Sequence, residues 1–361
     1  MNCPTCPEVS LGEWGDGLVT RLQGKRFPLN ATFEITDRCN MACVHCFINK
    51  PASTPVVPSI ELTYEHITRI LDQTAEAGCL NLLLTGGEVL LRPDFCEIYK
   101  HAKSKGMLVM VFTNGTLLTP KIADVMAEYP PYFMEITIYG HTKETYEKVT
   151  RVPGSYERCH AGIDLALERG LKLGLKTMVL TVNRHELKQM REYADSLGVP
   201  FRYDAMLWPR LDGGKQPYGF QLSPQEIVDL DRNDIERVQK WKQLHRSISK
   251  GMSRKENVYN CGAGVTSFHV DSHGKMSMCM AARHPSYDLL TGSILEGWQF
   301  LDTVRQKKKT LDTPCQDCEA GILCSQCAGW SQMVHGDDET PAEFICELGR
   351  LRTALVNALE K

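Results

Sequence analysis

Thr36-Asp37-Arg38-Cys39-Asn40-Met41-Ala42-Cys43-Val44-His45-Cys46-Phe47 places three cysteines at the spacing Cys-x3-Cys-x2-Cys directly behind the β-rich run Phe33-Glu34-Ile35-Thr36. Three thiolates in one loop can hold three irons of a four-iron cluster and leave the fourth iron open to another ligand. A zinc loop completed by His45 or by a distant side chain is the competing reading. Structural zinc motifs usually come as paired knuckles, however, and this spacing is not theirs.

Working outward, short β-rich runs alternate with amphipathic stretches from about Phe33 to Tyr203, as parallel βα units do. Runs at 33–36, 80–85, 107–113, 133–140, 171–180 and 200–207 supply six strands. Helices are expected near 63–78, 94–105, 119–128, 155–169 and 185–197, several of them announced by an N-cap residue or by Pro in the first turn. Six units fall short of the eight of a closed barrel. The expected fold is therefore α/β, a partial (β/α)6 TIM-like barrel with its chemistry at the C-terminal ends of the strands.

Beyond the barrel, Pro209–Gly219 is a Pro/Gly-rich breaker, followed by a charged helical stretch over 223–248. After Gly251 turn residues and cysteines dominate, and only about 341–360 again has helical periodicity. A segment so poor in apolar residues needs metals to staple it. The expected division is an N-terminal segment over 1–29, the barrel core over 30–210, a helical bridge over 211–254 and a cysteine-rich auxiliary-cluster domain over 255–361.

The 361 residues carry 41 basic and 44 acidic side chains, a formal net charge of −3. That balance gives no electrostatic reason to expect nucleic acid or an anionic membrane as a partner. No apolar run approaches the roughly 20 residues of a membrane span, and the start, MNCPTCPEVS, lacks the features of a signal peptide, so the expected location is cytoplasmic. In such a reducing compartment the fifteen cysteines are metal ligands or thiols rather than disulfides. Cys79, Cys96 and Cys159 fall on or beside helix candidates and suit packing. Cys3 and Cys6 sit in a terminus where flexibility is common.

Thr85-Gly86-Gly87-Glu88 ends the second strand candidate. Its glycines permit close approach to the backbone, and its carboxylate can meet a ligand ammonium. With the cysteine loop after the first strand and this tetrad after the second, residues 30–205 resemble the radical S-adenosylmethionine superfamily. The resemblance implies that Cys39, Cys43 and Cys46 bind a 4Fe-4S cluster whose open iron chelates S-adenosyl-L-methionine. Gly86, Gly87 and Glu88 would then contact its amino group, with Thr85 beside them. His45 would lie near the adenine, and Asn114 and Thr137 near the ribose. Electron transfer would yield methionine and a 5′-deoxyadenosyl radical that removes hydrogen from an unactivated carbon.

A second array runs Cys261-x12-Gly274-x4-Cys279, then Cys315-x2-Cys318-x5-Cys324-x2-Cys327, then Cys346. It is similar to the SPASM extension of radical enzymes that modify peptides. By that resemblance Cys315, Cys318, Cys324 and Cys346 hold an outer auxiliary cluster. Cys261, Cys279 and Cys327 hold an inner one that is a ligand short, for which His269 and Asp271 are the candidates. Two residues rather than three separate Cys324 from Cys327. Met280 stands where relatives that oxidise sulfatases carry a catalytic aspartate, which argues against sulfatase maturation.

The expected substrate is a ribosomally made peptide undergoing cross-linking, epimerisation or oxidation. The alternatives are a small molecule such as a sugar or tetrapyrrole precursor and, from another class, a zinc-binding protein without turnover. The chain also lacks the long N-terminal extension with which some relatives grip a leader, so peptide recognition is expected to need a separate peptide-recognition protein or the short N-terminal segment. An electron donor such as flavodoxin or ferredoxin completes the partners, and no catalytic residue is singled out. Arg151, Arg202 and Asp204 are candidates for carboxylate or substrate binding.

Overall fold

In the computed structural model the described residues are 21, 24–48, 50–53, 61–248, 256–316 and 318–360; Cys3 and Cys6 lie outside them. Strand β1 (Asn30–Thr36) leads into a two-residue pair, β2 (Arg38–Cys39) and β3 (Lys50–Pro51), that clasps the ends of the cysteine loop. Then follow β4 (Asn81–Gly86), β5 (Leu108–Thr113), β6 (Phe133–Thr137), β7 (Leu173–Met178) and β8 (Phe201–Asp204). With β1 these five form six parallel neighbours in chain order, the expected partial barrel.

The helices between them are α1 (Tyr64–Glu76), α2 (Phe95–Ser104), α3 (Pro120–Glu128), α4 (Lys143–Thr150), α5 (Ser155–Glu168) and α6 (Leu187–Ser196). Thr63 caps α1, Thr119 caps α3 with Pro120 in its first turn, and Thr142 caps α4. Helix α4 was not among the expected helices. It buries only one narrow stripe, Thr145, Tyr146 and Val149–Thr150, among charged residues. Glu186 secures its start by accepting from the Thr142 N–H (3.0 Å) and from the Thr142 and Thr145 hydroxyls (2.7 and 2.5 Å).

Alternation along the strands sorts the sheet into two faces. Ala31, Phe33, Ile35, Leu82, Leu84, Val109, Val111, Met134 and Ile136 pack with Ile67, Leu71, Phe95 and Ile98 of the helices. The registers put Thr32, Glu34, Thr85, Phe112, Glu135, Thr137, Lys176 and Arg202 on the other face, the barrel interior.

The expected helical bridge is two helices, α7 (Pro224–Arg232) and α8 (Ile235–Ile248), separated at Asn233. After it the chain returns to the sheet. Strand β9 (Ser267–Val270) pairs parallel with β1, from Asn30↔Ser267 to Phe33↔Val270, and β10 (Lys275–Ser277) and β11 (Tyr287–Asp288) continue antiparallel. Nine strands result, in the order β11-β10-β9-β1-β4-β5-β6-β7-β8. Helix α9 (Ile294–Arg305) follows, then α10 (Ala328–His335) and α11 (Glu343–Glu360).

This corrects the expectation that the cysteine-rich segment lacks apolar material. Phe268, Val270, Met276, Met278, Leu289, Trp298 and Leu301 join the same core as the barrel, with Phe268 edge-on to both Phe33 (6.5 Å) and Trp298 (6.0 Å). Strands of two to four residues are too short to show a period. Helix α9 was not among the expected helices; Ser293 and Glu296 form a capping box at its start, ahead of Ile294, Trp298 and Leu301.

Where β9 meets β1, the barrel interior holds a buried charge cluster. Arg283 donates to both oxygens of Glu34 (2.7 and 2.9 Å), and His269 stands 3.6 Å from the same carboxylate. Burial pushes the Glu34 carboxyl up, and His269 and Arg283 together overcome it and hold it at about 2. On geometry the guanidinium fork is the tighter partner.

Two outcomes are expected. Phe268→Ala costs about 3–5 kcal/mol and lowers the midpoint of a single urea transition that reports barrel and C-terminal segment together; two separated transitions would refute a shared core. A depressed carboxylate stabilises above its unfolded value and loses that contribution as pH falls. The advantage of the wild type over Glu34→Gln, about 3 kcal/mol at neutrality, should therefore shrink between about pH 4.5 and pH 2.

Candidate active site

The ends of β1 and β4 are pressed together more closely than side chains permit. A Cβ on Gly86, whose φ is 143°, would lie 2.1 Å from the Thr36 carbonyl oxygen, and one on Gly87 would lie 2.3 Å from that of Arg38. The Gly87 N–H donates to Thr36 O (2.7 Å) and the Glu88 N–H to Arg38 O (2.9 Å), fixing the backbone that delivers Cys39. Glu88 is fully buried and accepts from the Leu90 N–H (3.1 Å), the Thr113 hydroxyl (2.5 Å) and the Asn114 N–H (2.7 Å). Burial pushes its carboxyl up against the pull of those bonds.

Asn114 turns its amide to the cysteine loop, donating to Asn40 Oδ1 (2.9 Å) and reaching Cys39 Sγ at 3.8 Å. Asn40 in turn donates to the Thr116 hydroxyl (2.8 Å). Gly86, Gly87, Glu88 and Asn114 thus meet Cys39. Thr85 lies opposite Glu34 in register, and Thr137 is buried at the end of β6.

Burial pushes the Cys39 thiol up to about 12, with the Glu88 and Cys46 charges adding to it. Cys43 is driven well above the usual thiol range by burial and then by Cys46 and Cys39, while the Tyr139 hydroxyl hydrogen-bonds to it. Two sheltered sulfurs, Cys39 and Cys43, that resist becoming anions, with Cys46 beside them, are a donor set that a cationic iron cluster would relieve, with loss of their protons on binding. Among the described residues no three Cys, His, Asp or Glu side chains close around one point as a single ion requires. A cluster distributes its ligands over separate irons, so the donors fit the polynuclear group.

His45 leans on Tyr139, ring centroids 5.1 Å apart at 55°. Burial lowers its pKa to about 4, so the imidazole is neutral, and its Nδ1 is buried without a hydrogen bond among the described residues.

The C-terminal cysteines fall into two groups by mutual electrostatics. Cys324 interacts with Cys346, Cys315 and Cys318, and Cys279 with Cys327 and Cys261. Gly349 of α11 lets the chain bearing Cys324 approach, since a Cβ there would stand 2.6 Å from the Cys324 Cα. The Cys327 sulfur receives the Gly329 and Trp330 N–H groups at the start of α10. A hollow of about 460 Å3 lies beside Cys318 and α11, away from the loop of three cysteines. His269 faces Glu34, and the Asp271 carboxylate shapes the β9–β10 turn by accepting the His273 and Lys275 N–H groups (both 2.9 Å).

Two further groups occupy the interior. Arg202 forks onto Glu135 (2.5 Å twice), and Lys176 lies 3.3 Å from Glu135 and 3.6 Å over the Phe112 ring. Burial lowers the Lys176 pKa to about 8. The sequence reading did not single out Lys176; a lysine inside the strand Leu173–Met178 was the available signal. Arg151 is exposed and left-handed at the end of α4, and Asp204 accepts the Ala205 and Met206 N–H groups (2.7 and 3.0 Å), so both shape turns. Beside the cysteine loop opens a cleft of about 690 Å3, bounded by Asp37, Ile48 and Lys50, by residues 209–218, and by segments 271–286 and 332–336. The Leu211 N–H donates to Phe47 O (2.9 Å) and ties the cleft wall to that loop.

Comparison with known proteins agrees with this geometry. Residues 33–194 match the family model of the Radical SAM superfamily. An AdoMet-dependent heme synthase of Methanosarcina barkeri is 27% identical over 86% of this chain and 94% of its own length. The mycofactocin maturase MftC of Mycobacterium tuberculosis is 26% identical over 87% of this chain and 79% of its own. The fold matches Streptococcus suis SuiB, solved with S-adenosylmethionine and with the precursor peptide SuiA, at a TM-score of 0.67 in each; identity is 14%, and the match covers 96% of this chain and 83% and 84% of those chains. Among the described residues no helix is long and apolar enough to cross a membrane. Cysteine loop, glycine clamp and six-stranded open barrel together form the region, residues 33–194, that matches the model of the radical S-adenosylmethionine superfamily.

Proposed function

We propose that this radical S-adenosylmethionine enzyme modifies a ribosomally made peptide by cross-linking, epimerisation or oxidation, with two auxiliary clusters in its C-terminal region. The observation that carries the reading is the neighbourhood of the site. The clamp at Gly86–Glu88 closes on residues 36–38 where the loop of three cysteines begins, and the cleft that reaches segment 332–336 is bounded by Asp37, Ile48 and Lys50 at the two ends of that loop. A relative that matures mycofactocin over most of both chains supports the peptide.

Cys39, Cys43 and Cys46 would hold a 4Fe-4S cluster, which would supply the electron for reductive cleavage of S-adenosylmethionine to methionine and a 5′-deoxyadenosyl radical. Gly86 and Gly87, closed against the Thr36 and Arg38 carbonyls, would present their main chain to the methionine ammonium, and Glu88, buried and oriented by Thr113 and Asn114, would offer it negative charge. His45 would lie near the adenine, and Asn114 and Thr137 near the ribose. Cys315, Cys318, Cys324 and Cys346 hold the outer auxiliary cluster, and Cys261, Cys279 and Cys327 the inner one. Met280 offers no carboxylate beside Cys279; its carbonyl accepts from Arg283 Nε (2.9 Å). An electron donor of the flavodoxin or ferredoxin type and a separate peptide-recognition protein complete the system in the cytoplasm.

One observation favours a second reading. The heme synthase relative is matched over 94% of its length, so a tetrapyrrole precursor is the rival substrate.

The test is anaerobic reconstitution, reduction with dithionite and chromatography for 5′-deoxyadenosine. The wild type should form it, and a variant with Cys39, Cys43 and Cys46 all changed to Ala should not; equal amounts from both would overturn the cluster assignment. About 12 irons per chain, with matching acid-labile sulfide, are expected for three four-iron clusters. Gly349→Val should lose about a third of that iron while keeping S-adenosylmethionine cleavage, because the added side chain collides with the Cys324 backbone. Zinc without sulfide would refute all three clusters. Mass spectrometry after incubation with candidate precursor peptides or with an iron-coproporphyrin decides between the substrates.

A further inference from the structure

We infer that the cleft beside the cysteine loop is a receptor for a carboxylate carried by the substrate, built from Arg210, Lys215 and Arg283. The inference rests on the reading that substrate enters this cleft.

Five lysines and arginines line the cleft against three aspartates. All three aspartates are already satisfied within the protein. Asp37 accepts from Ser272 (2.6 Å), His273 (3.0 Å) and Lys50; Asp271 accepts two backbone N–H groups; Asp212 accepts from Arg210 (2.6 Å) and the Gly214 N–H (3.0 Å). Lys50 and Lys275 are consumed as well, by Asp37 and by Asp288 (2.7 Å). Unused capacity in the lining therefore sits on the other cations.

Arg283 is the best prepared of them. Its Nε donates to the Met280 carbonyl, and each terminal nitrogen gives one N–H to Glu34. A guanidinium has five N–H groups, so two remain, on a side chain that is only 15% exposed and held rigid by three bonds. Donors fixed in advance lose little entropy on binding an anion. Arg210 has a buried Nε with no hydrogen-bond partner among the described residues, a group whose desolvation stays uncompensated until an acceptor arrives. Lys215 is exposed and forms no ion pair among the described residues. Planar arginine forks match carboxylate geometry, and a flexible lysine adds point charge at the entrance.

Two sources supply that chemistry, an acidic side chain of a peptide and the propionate of a tetrapyrrole, and the experiment separates them. Reconstituted full-length enzyme with S-adenosylmethionine bound is titrated anaerobically with a synthetic library of blocked heptapeptides carrying Glu or Gln at each position. It is titrated separately with coproporphyrin. Glu-containing members should bind about tenfold more tightly than their Gln counterparts, and raising the salt should erode the difference. Arg210→Gln and Lys215→Gln, both on the cleft rim, should each reduce the preference at least threefold while leaving S-adenosylmethionine affinity and the thermal midpoint unchanged. Coproporphyrin binding with the same dependence on Arg210 and Lys215, with no peptide bound, would support the receptor and overturn the peptide reading. Equal binding of Glu and Gln peptides without porphyrin binding would overturn the receptor. So would variants that weaken S-adenosylmethionine instead, since the cations would then serve the cosubstrate.

Discussion

Everything at the site hangs on two carbonyl oxygens, those of Thr36 and Arg38, and on the absence of side chains at Gly86 and Gly87 that lets the neighbouring backbone donate to them. The clamp does more than bring a ligand near the main chain. It sets the exit of β1, and so the place of Cys39, relative to β4. Glu88 extends the clamp to β5 through Thr113 and Asn114, and Asn114 returns to the cysteine loop through Asn40. Three strand ends and one loop are closed into a ring of hydrogen bonds around the thiols, so any side chain at either glycine would disturb all of them at once.

How much of this was legible depends on what carries the signal. The six parallel strands were, because each lies in a β-rich run that alternates with a helical stretch, and the cysteine spacing and the Gly-Gly-Glu triplet pointed to one place. The helices after Thr63, Thr119 and Gly154 announced themselves by caps or by periodicity. What stayed hidden was pairing between distant residues. Nothing in Ser267–Val270 tells that it lies beside Asn30–Phe33, and the buried partners of Glu34 sit 235 and 249 residues away, at His269 and Arg283. Lys176 escaped notice for the same reason, since only the register sets it opposite Thr137 and Arg202, within reach of Glu135.

The barrel interior is paved with ion pairs rather than with the layers of aliphatic side chains that fill a closed barrel. Glu34 with Arg283 and Glu135 with Arg202 face it from its two sides. A buried pair such as that of Glu34 with Arg283 seldom repays its desolvation, and well-packed apolar residues would serve stability as well or better. The presence of the ion pairs marks a surface kept polar for an occupant. It also keeps the interior from collapsing, because guanidinium forks hold their carboxylates at set distances where aliphatic side chains would close the gap.

The pairing of β9 with β1 has a consequence for biosynthesis. The first barrel strand leaves the ribosome with one edge destined for residues that are made about 237 positions later. At ordinary elongation rates that edge waits roughly 10–50 s for its neighbour. An unpaired strand edge is a template for other chains, so the nascent barrel passes through a period of exposure that ends only when Phe268 seats against Phe33. Slow emergence of the C-terminal cysteines and late closure of the sheet thus coincide, and the apolar core becomes complete in the same stretch of synthesis that delivers Cys261 and Cys279.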